Sequence, residues 1–295
     1  MRRIVLMIIA MMFCITNMCA NKKHALLIGI SEYPTYSDVP QSSWPSIHGA
    51  NDITLITNVI KSQGFSVQKI LDKQATASGI RKSFKQLIQK VSLGDIVYIH
   101  FSGHGQSYED LSGDESDGWD EAIVPYDARN MYIKGIYEGG NHILDDQLEI
   151  YLAAIRNKIG EKGYLYVVLD ACHMGGASRG DETDDDEIFV RGSDKGFSPN
   201  QKRYIPKIDR RGNMLVSKSS GQSGICIIEA CRSYQTNAEI KQSGTYYGPL
   251  SYYINQSLKS IPLTTSTNWI EYVRKAMNAD KRLIKQNMVV EQTSL

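Results

Sequence analysis

Two stretches decide how this chain folds: Ile96-Val-Tyr-Ile-His-Phe101-Ser-Gly-His104-Gly105 and Tyr164-Leu-Tyr-Val-Val-Leu169-Asp170-Ala-Cys172-His-Met-Gly175. Each is a short, continuous apolar run that breaks into a tight polar turn. A run with no polar alternation fits a strand buried on both faces, which is the habit of parallel sheets covered by helices. Working outward, His24–Ile30 is a strand of the same kind, Ser66–Leu71 is another, and Ile225–Cys231 resumes the pattern late in the chain. Between them lie stretches with apolar residues at helical spacing. Ala50–Gln63 is closed by Gly64, Thr76–Val91 carries Ile80, Phe84, Leu87 and Ile88 on one face, and Pro249–Leu258 and Trp269–Lys285 read as helices. Strands alternating with helices predict an α/β fold with a mostly parallel sheet and helices on both faces.

The chain has 295 residues, 42% hydrophobic and 22% charged, with a formal net charge of +1. It is long enough to bury a large core without a metal or disulfide scaffold, and its balanced charge gives no electrostatic case for nucleic acid. Residues 1–20 differ in character: Arg2 and Arg3 precede an apolar run, Ile4–Ile15, too short to span a bilayer. This is the pattern of a signal peptide, and it predicts export to a periplasmic or secreted location. A lipid anchor at Cys19, or retention of the leader, would instead put the protein at a membrane. Cys14 and Cys19 fall in the leader, which leaves Cys172, Cys226 and Cys231. An odd number in an exported chain points to a reactive thiol or an intermolecular bridge.

The two polar turns fall at the C-terminal ends of predicted parallel strands, where α/β sheets place their sites. Cys172 can supply a nucleophilic thiol and His104 the base and acid that activates it. The N–H groups of Gly105 and Cys172 can face a developing oxyanion, and the glycines at 103 and 105 allow close backbone approach. Cys226 and Cys231 read as small core hydrophobes, and His100 as a structural histidine. His173, next to the thiol, points away from it in an extended strand end. Neither a zinc spacing nor a phosphate loop is present.

Ser102-Gly-His104-Gly followed by Asp170-Ala-Cys172-His-Met-Gly resembles the paired signatures of metacaspases, the metacaspase branch of the caspase-type cysteine peptidases. Gly49-Ala-Asn-Asp52, Asp117-Gly-Trp-Asp-Glu-Ala-Ile-Val-Pro-Tyr-Asp127, Asp145-Asp146 and Glu229-Ala-Cys-Arg-Ser-Tyr-Gln-Thr-Asn-Ala238 follow in family order. The resemblance implies a caspase-like three-layer sandwich. A large-subunit region at 21–178 would carry a Cys172/His104 dyad, 179–223 would be a flexible and processed linker, and 224–295 would be a small-subunit-like region completing the fold. It also implies that Asp52 joins Asp170 in the pocket for the residue before the cut, although an Asp at a helix start also reads as a cap. Where caspases hold a basic pocket, Asp170 makes this one acidic, so cleavage after Arg or Lys is expected. Protein or peptide chains with those residues are the expected partners. Lys202, Arg203, Arg210 and Arg211 become candidate self-processing sites. The resemblance further suggests a calcium site from Asp120, Asp145, Asp146 and Asp181, with Asp117 as an alternative to Asp120, and no other cofactor. A catalytically idle caspase-fold module that binds peptides is the competing expectation.

Overall fold

The structure is a computed structural model and describes residues 21–173, 187–208 and 214–293. The predicted leader, Asp181, Arg210 and Arg211 lie outside the described residues. Among the described residues, no helix is long and apolar enough to cross a membrane.

The chain opens with β1 (Lys23–Gly29), α1 (Gly49–Ser62), β2 (Ser66–Leu71), α2 (Ala77–Lys90) and β3 (Ile96–Ser102), all within a residue or two of expectation. Gly64 closes α1 with φ +85°, a conformation costly for any residue with a Cβ. Thr76 starts α2 as its N-cap, its hydroxyl accepting the Gly79 N–H at 3.0 Å. A small side sheet follows, β4 (Gly105–Glu109), β5 (Trp119–Ile123) and β6 (Ile143–Leu144), then α3 (Asp145–Ile159) and β7 (Tyr164–Asp170). The later elements are β8 (Met214–Val216), β9 (Gly224–Glu229), the hairpin β10 (Ile240–Gln242) and β11 (Thr245–Tyr247), α4 (Pro249–Leu258), α5 (Asn268–Ala279) and β12 (Val289–Thr293).

The main sheet runs β2-β1-β3-β7-β9-β12-β8. It is parallel from β2 to β9; β12 runs antiparallel to β9 and pairs in parallel with β8. Strand periodicity sends alternate side chains to opposite faces. Val97, Ile99, Phe101, Leu165 and Val167 pack with Ile80, Phe84 and Leu87 of α2 and Ile155 and Ile159 of α3. Tyr98, Tyr166 and Val168 pack on the other side with Ile53 and Ile56 of α1, Leu250 and Ile254 of α4, and Trp269 of α5. These are the three layers of the expected sandwich.

The expected flexible linker is packed where it is described. Phe197 is fully buried and stacks on Tyr108 at 4.9 Å, Tyr204 is buried against Trp119, and β8 completes the sheet edge. The Gly, Ser and Lys residues around these aromatics hide anchors that only tertiary packing reveals. The last helix also stops short of expectation, at Ala279, because Asp280 turns to an extended ψ of 113°.

Candidate active site

Strand register builds the centre of the site. Ser102 at the end of β3 pairs with Asp170 at the end of β7, so His104 and Cys172 each stand two residues past the paired ends. Gly105 lies directly over the backbone of Cys172, where a Cβ would come within 2.7 Å of the Cys172 carbonyl oxygen. The N-terminus of α1 closes in from the side. A Cβ on Gly49 would lie 2.4 Å from the Ser102 carbonyl oxygen, and this approach lets Asp52 accept the Ser102 hydroxyl at 2.6 Å.

His104 is fully buried between Trp44, stacked at 4.7 Å, and Tyr33, tilted at 5.0 Å. Its Nε2 lies 2.9 Å from the carbonyl oxygen of Pro45. A carbonyl only accepts, so the hydrogen bond assigns the proton to Nε2 and leaves Nδ1 with its lone pair. Among the described residues, Nδ1 is buried with no hydrogen-bond partner. Burial drives the imidazole down to about 4, only partly offset by the Pro45 bond, so the ring is neutral at physiological pH.

Cys172 is also fully buried, its thiol donating to the Gln235 carbonyl at 2.9 Å. Cys231 directs its own thiol to the same oxygen at 3.5 Å, and the hydrogen bond with Cys172, together with burial, pushes its pKa well up. Cys231 is thus a neighbour of the site as well as a core residue. Among the described residues, Cys172, Cys226 and Cys231 form no disulfide.

Beside these groups lies a fully buried guanidinium ringed by carboxylates. Arg191 Nη1 sits 2.8 Å from Asp52 and 3.6 Å from Asp170, and Nη2 lies 2.7 Å from Glu239. Nη1 also donates to the Ser102 hydroxyl at 2.6 Å and the Asp170 carbonyl at 3.2 Å. Asp170 is pinned in turn, accepting from Asn237 Nδ2 at 2.8 Å and from the Ser251 N–H and hydroxyl at 2.8 and 2.6 Å. Burial raises the Asp52 carboxyl to about 7 against the pull of Arg191, with Asp170 pushing the same way. Burial alone would lower the Arg191 pKa, but Asp52, Glu239 and Asp170 outweigh it and hold the cation protonated. Three buried carboxylates around one point form a pocket that needs a cation.

The backbone of Arg191 is equally engaged. Its carbonyl oxygen accepts the N–H groups of Gly105 and Cys172 at 3.1 and 3.0 Å. Those are the two donors expected to face an oxyanion.

The acidic residues form a second cluster. Carboxylate oxygens of Asp110, Asp114 and Asp120 lie within 4.8 Å of one another. Burial raises Asp120 to about 7 with help from Asp145, Asp110, Asp146 and Asp114, and burial likewise raises Asp145 to about 6. Among the described residues, Asp145 Oδ1 is buried without a hydrogen-bond partner. Of the expected set, Asp120 stands in this cluster. Asp110 and Asp114 converge on Asp120, while Asp145 and Asp146 stay in the first turn of α3, where a carboxylate also favours the helix dipole. Backbone N–H groups of Gly113 and Glu115 hold Asp110 below the usual carboxylate range, while the raised Asp120 beside it marks crowding of negative charge that a hard divalent cation would relieve.

The structure thus brings Asp52 and Asp170 to one guanidinium and sets Gly105, next to His104 in the chain, over the backbone of Cys172. Glu239, Ser251 and Arg191 complete the pocket without any local sequence signal, and Asn237 falls in the stretch Glu229–Ala238. Trp44-Pro45 was similarly silent, since a backbone carbonyl carries no residue signature.

The profile of the caspase-domain family matches residues 22–294. Among curated proteins, the chain is 24% identical to metacaspase-1B of Aspergillus fumigatus over 88% of this chain and 67% of that one. It is 23% identical to metacaspase-1 of Schizosaccharomyces pombe over 88% and 65%, and 30% identical to metacaspase-1 of Eremothecium gossypii over 55% and 34%. The chain thus spans about two thirds or less of the length of these relatives. A crystal structure of a protein from Geobacter sulfurreducens superposes with a TM-score of 0.61 at 18% identity, covering 93% of this chain and 94% of that one. Caspase-1 from Spodoptera frugiperda gives 0.50 at 13%, covering 93% and 86%. At such identities the two structures show the shared fold alone.

Proposed function

Given that this chain belongs to the caspase-domain family of cysteine-type peptidases, we propose that it is an endopeptidase that cuts protein chains after Arg or Lys. The observation that carries this reading is the Asp52, Asp170 and Glu239 pocket closed around a guanidinium. An aspartate side chain there would add a fourth carboxylate to a buried negative cluster.

In this reading Cys172 is the nucleophile and His104 its base. The thiol proton passes to Nδ1, the sulfur attacks the carbonyl carbon, and the N–H groups of Gly105 and Cys172 receive the oxyanion. His104 then returns the proton to the departing amine. Water hydrolyses the thioester with the same imidazole as base, restoring thiol and histidine. The carbonyl of Pro45 holds the ring orientation throughout. The chain also processes itself downstream of Cys172. Asp110, Asp114 and Asp120 would hold calcium, whose charge, when bound, would neutralise these carboxylates and fix the loop between β4 and β5. The leader makes the protein an exported one.

Fluorogenic peptides ending in Arg, Lys, Asp or Asn, offered to wild type and Cys172→Ala with calcium and with chelator, test the reading. Cleavage after Arg and Lys that vanishes in the variant is the expected result. Cleavage after Asp alone would exclude the acidic pocket, and no cleavage of any peptide would favour a binding module.

A further inference from the structure

The residues around Arg191 form more than an ion-pair network. Val190 bridges Ala238 in antiparallel sense, Glu239 N–H donates to the Phe189 carbonyl at 2.9 Å, and Arg191 N–H donates to the Asn237 carbonyl at 3.0 Å. Phe189–Arg191 is therefore laid along residues 237–239 as an added strand, the way extended peptides dock on proteins that read them. At the end of that strand the Arg191 side chain fills the acidic pocket, and its carbonyl takes both N–H donors of the oxyanion site. The ring of Phe189 stands edge-on to His48 at 4.5 Å and to Tyr246 at 4.9 Å, and these two stack on each other at 5.1 Å. A purely structural arginine would need the ion pairs but none of these backbone bonds. With this segment seated, both His104 and Cys172 are fully buried, so another peptide has no route to the thiol.

We propose that Phe189-Val190-Arg191 is a built-in first substrate, cut by the chain's own Cys172 at the Arg191–Gly192 bond. Until that cut the segment keeps the site closed, and the slot between His48 and Tyr246 reads an aromatic residue two positions before the arginine. This rests on the Cys172/His104 reading above. In the step, the Cys172 sulfur bonds to the Arg191 carbonyl carbon, the C–N bond to Gly192 breaks, and the thiol proton leaves with the Gly192 amine by way of His104. Water then cleaves the thioester, giving the Arg191 carboxylate and the free thiol.

The test uses the full chain as wild type, Arg191→Lys, Arg191→Gln and Gly192→Pro, incubated with calcium and followed by intact mass and N-terminal sequencing. Wild type and Arg191→Lys should yield a new N-terminus at Gly192, at a rate independent of protein concentration. Arg191→Gln and Gly192→Pro should stay whole. Gly192→Pro keeps the arginine, and thermal unfolding checks its fold, so the experiment survives if Arg191→Gln fails to fold. Whole Gly192→Pro should hydrolyse an added Phe-Val-Arg peptide at least ~10-fold more slowly than cut wild type. Cut wild type should prefer that peptide to Ala-Val-Arg by roughly 5-fold, the scale of a lost aromatic pair. Cleavage at Lys202 or Arg203 instead, concentration-dependent cleavage, or full activity in whole Gly192→Pro would overturn the inference while leaving the endopeptidase standing. Wild type that cuts neither itself nor any arginine peptide would overturn both.

Discussion

His104 is tied through Nε2 to the carbonyl oxygen of Pro45, 2.9 Å away, and this bond decides which nitrogen is left to do chemistry. With Nδ1 buried and without a hydrogen-bond partner among the described residues, the ring is the base of the proposed mechanism. His104→Ala should lower kcat on an arginine peptide by roughly 10³-fold, within the range for loss of a positioned base. KM should change far less, a split that steady-state kinetics resolves.

Asp170 faces the Arg191 guanidinium and is held by Asn237 and Ser251. Asp170→Asn keeps the shape and removes the charge. Its kcat/KM on arginine peptides should fall by roughly 10²-fold, matching the ~3 kcal/mol lower bound for breaking a buried pair, and a glutamine peptide should lose nothing.

Gly105 sits where a Cβ would meet the carbonyl oxygen of Cys172 at 2.7 Å and its carbonyl carbon at 3.0 Å. Both neighbours are backbone, so Gly105→Ala must push β4 away from the end of β7 and spread the two N–H donors. Activity should drop by about 10²-fold or more, as for loss of one oxyanion donor, and circular dichroism should show the fold retained.

Burial pushes the His142 imidazole down to about 3, with the Gly139 backbone opposing weakly. The unfolded chain takes up that proton near pH 6.5 and the folded chain does not, so the unfolded state binds more protons between these limits. The stability involved is full above pH 6.5 and is lost as pH falls toward 3. Urea unfolding of wild type should therefore weaken between pH 7 and 4.5 by on the order of 2 kcal/mol more than that of His142→Gln.

If Asp110, Asp114 and Asp120 hold calcium, the ion should raise the unfolding temperature. A hundredfold excess over Kd corresponds to about 2.7 kcal/mol. Asp120→Asn should remove most of the rise. A chain whose unfolding temperature ignores both calcium and chelator would rule the site out.

Much of this was legible in the sequence because it was local. The runs at 24–30, 96–101 and 164–169 are strands by their own composition, and the turns that follow them carry His104 and Cys172. Asp52 and Asp170 could be placed because each stands in a recognisable stretch. What stayed hidden depends on pairing between distant residues. Glu239 and Arg191 meet only because Phe189–Arg191 lies against 237–239, and neither residue type announces that partner. Lys202, Arg203, Arg210 and Arg211 stand in the most linker-like composition, whereas Arg191 follows two apolar residues, Phe189 and Val190. Helix α3 carries Leu152, Ile155 and Ile159 at helical spacing, but the acidic pair at its start resembles metal ligands more than the start of a helix. Strand β12 has no signature beyond Val289-Val290, and the sheet recruits it by offering β9 as an edge.

The pairing of β7 with β9 runs from Tyr164 opposite Gly224 to Leu169 opposite Glu229, in the middle of the main sheet. A cut between β7 and β8 in sequence leaves β7 and β9 joined in space, with β1, β2, β3 and β7 on one polypeptide and β8, β9 and β12 on the other. Neither piece could shed the other without baring strand edges and apolar faces to water. A nicked molecule would therefore elute as one particle and separate into two bands only in denaturant, a heterodimer made from a single gene product.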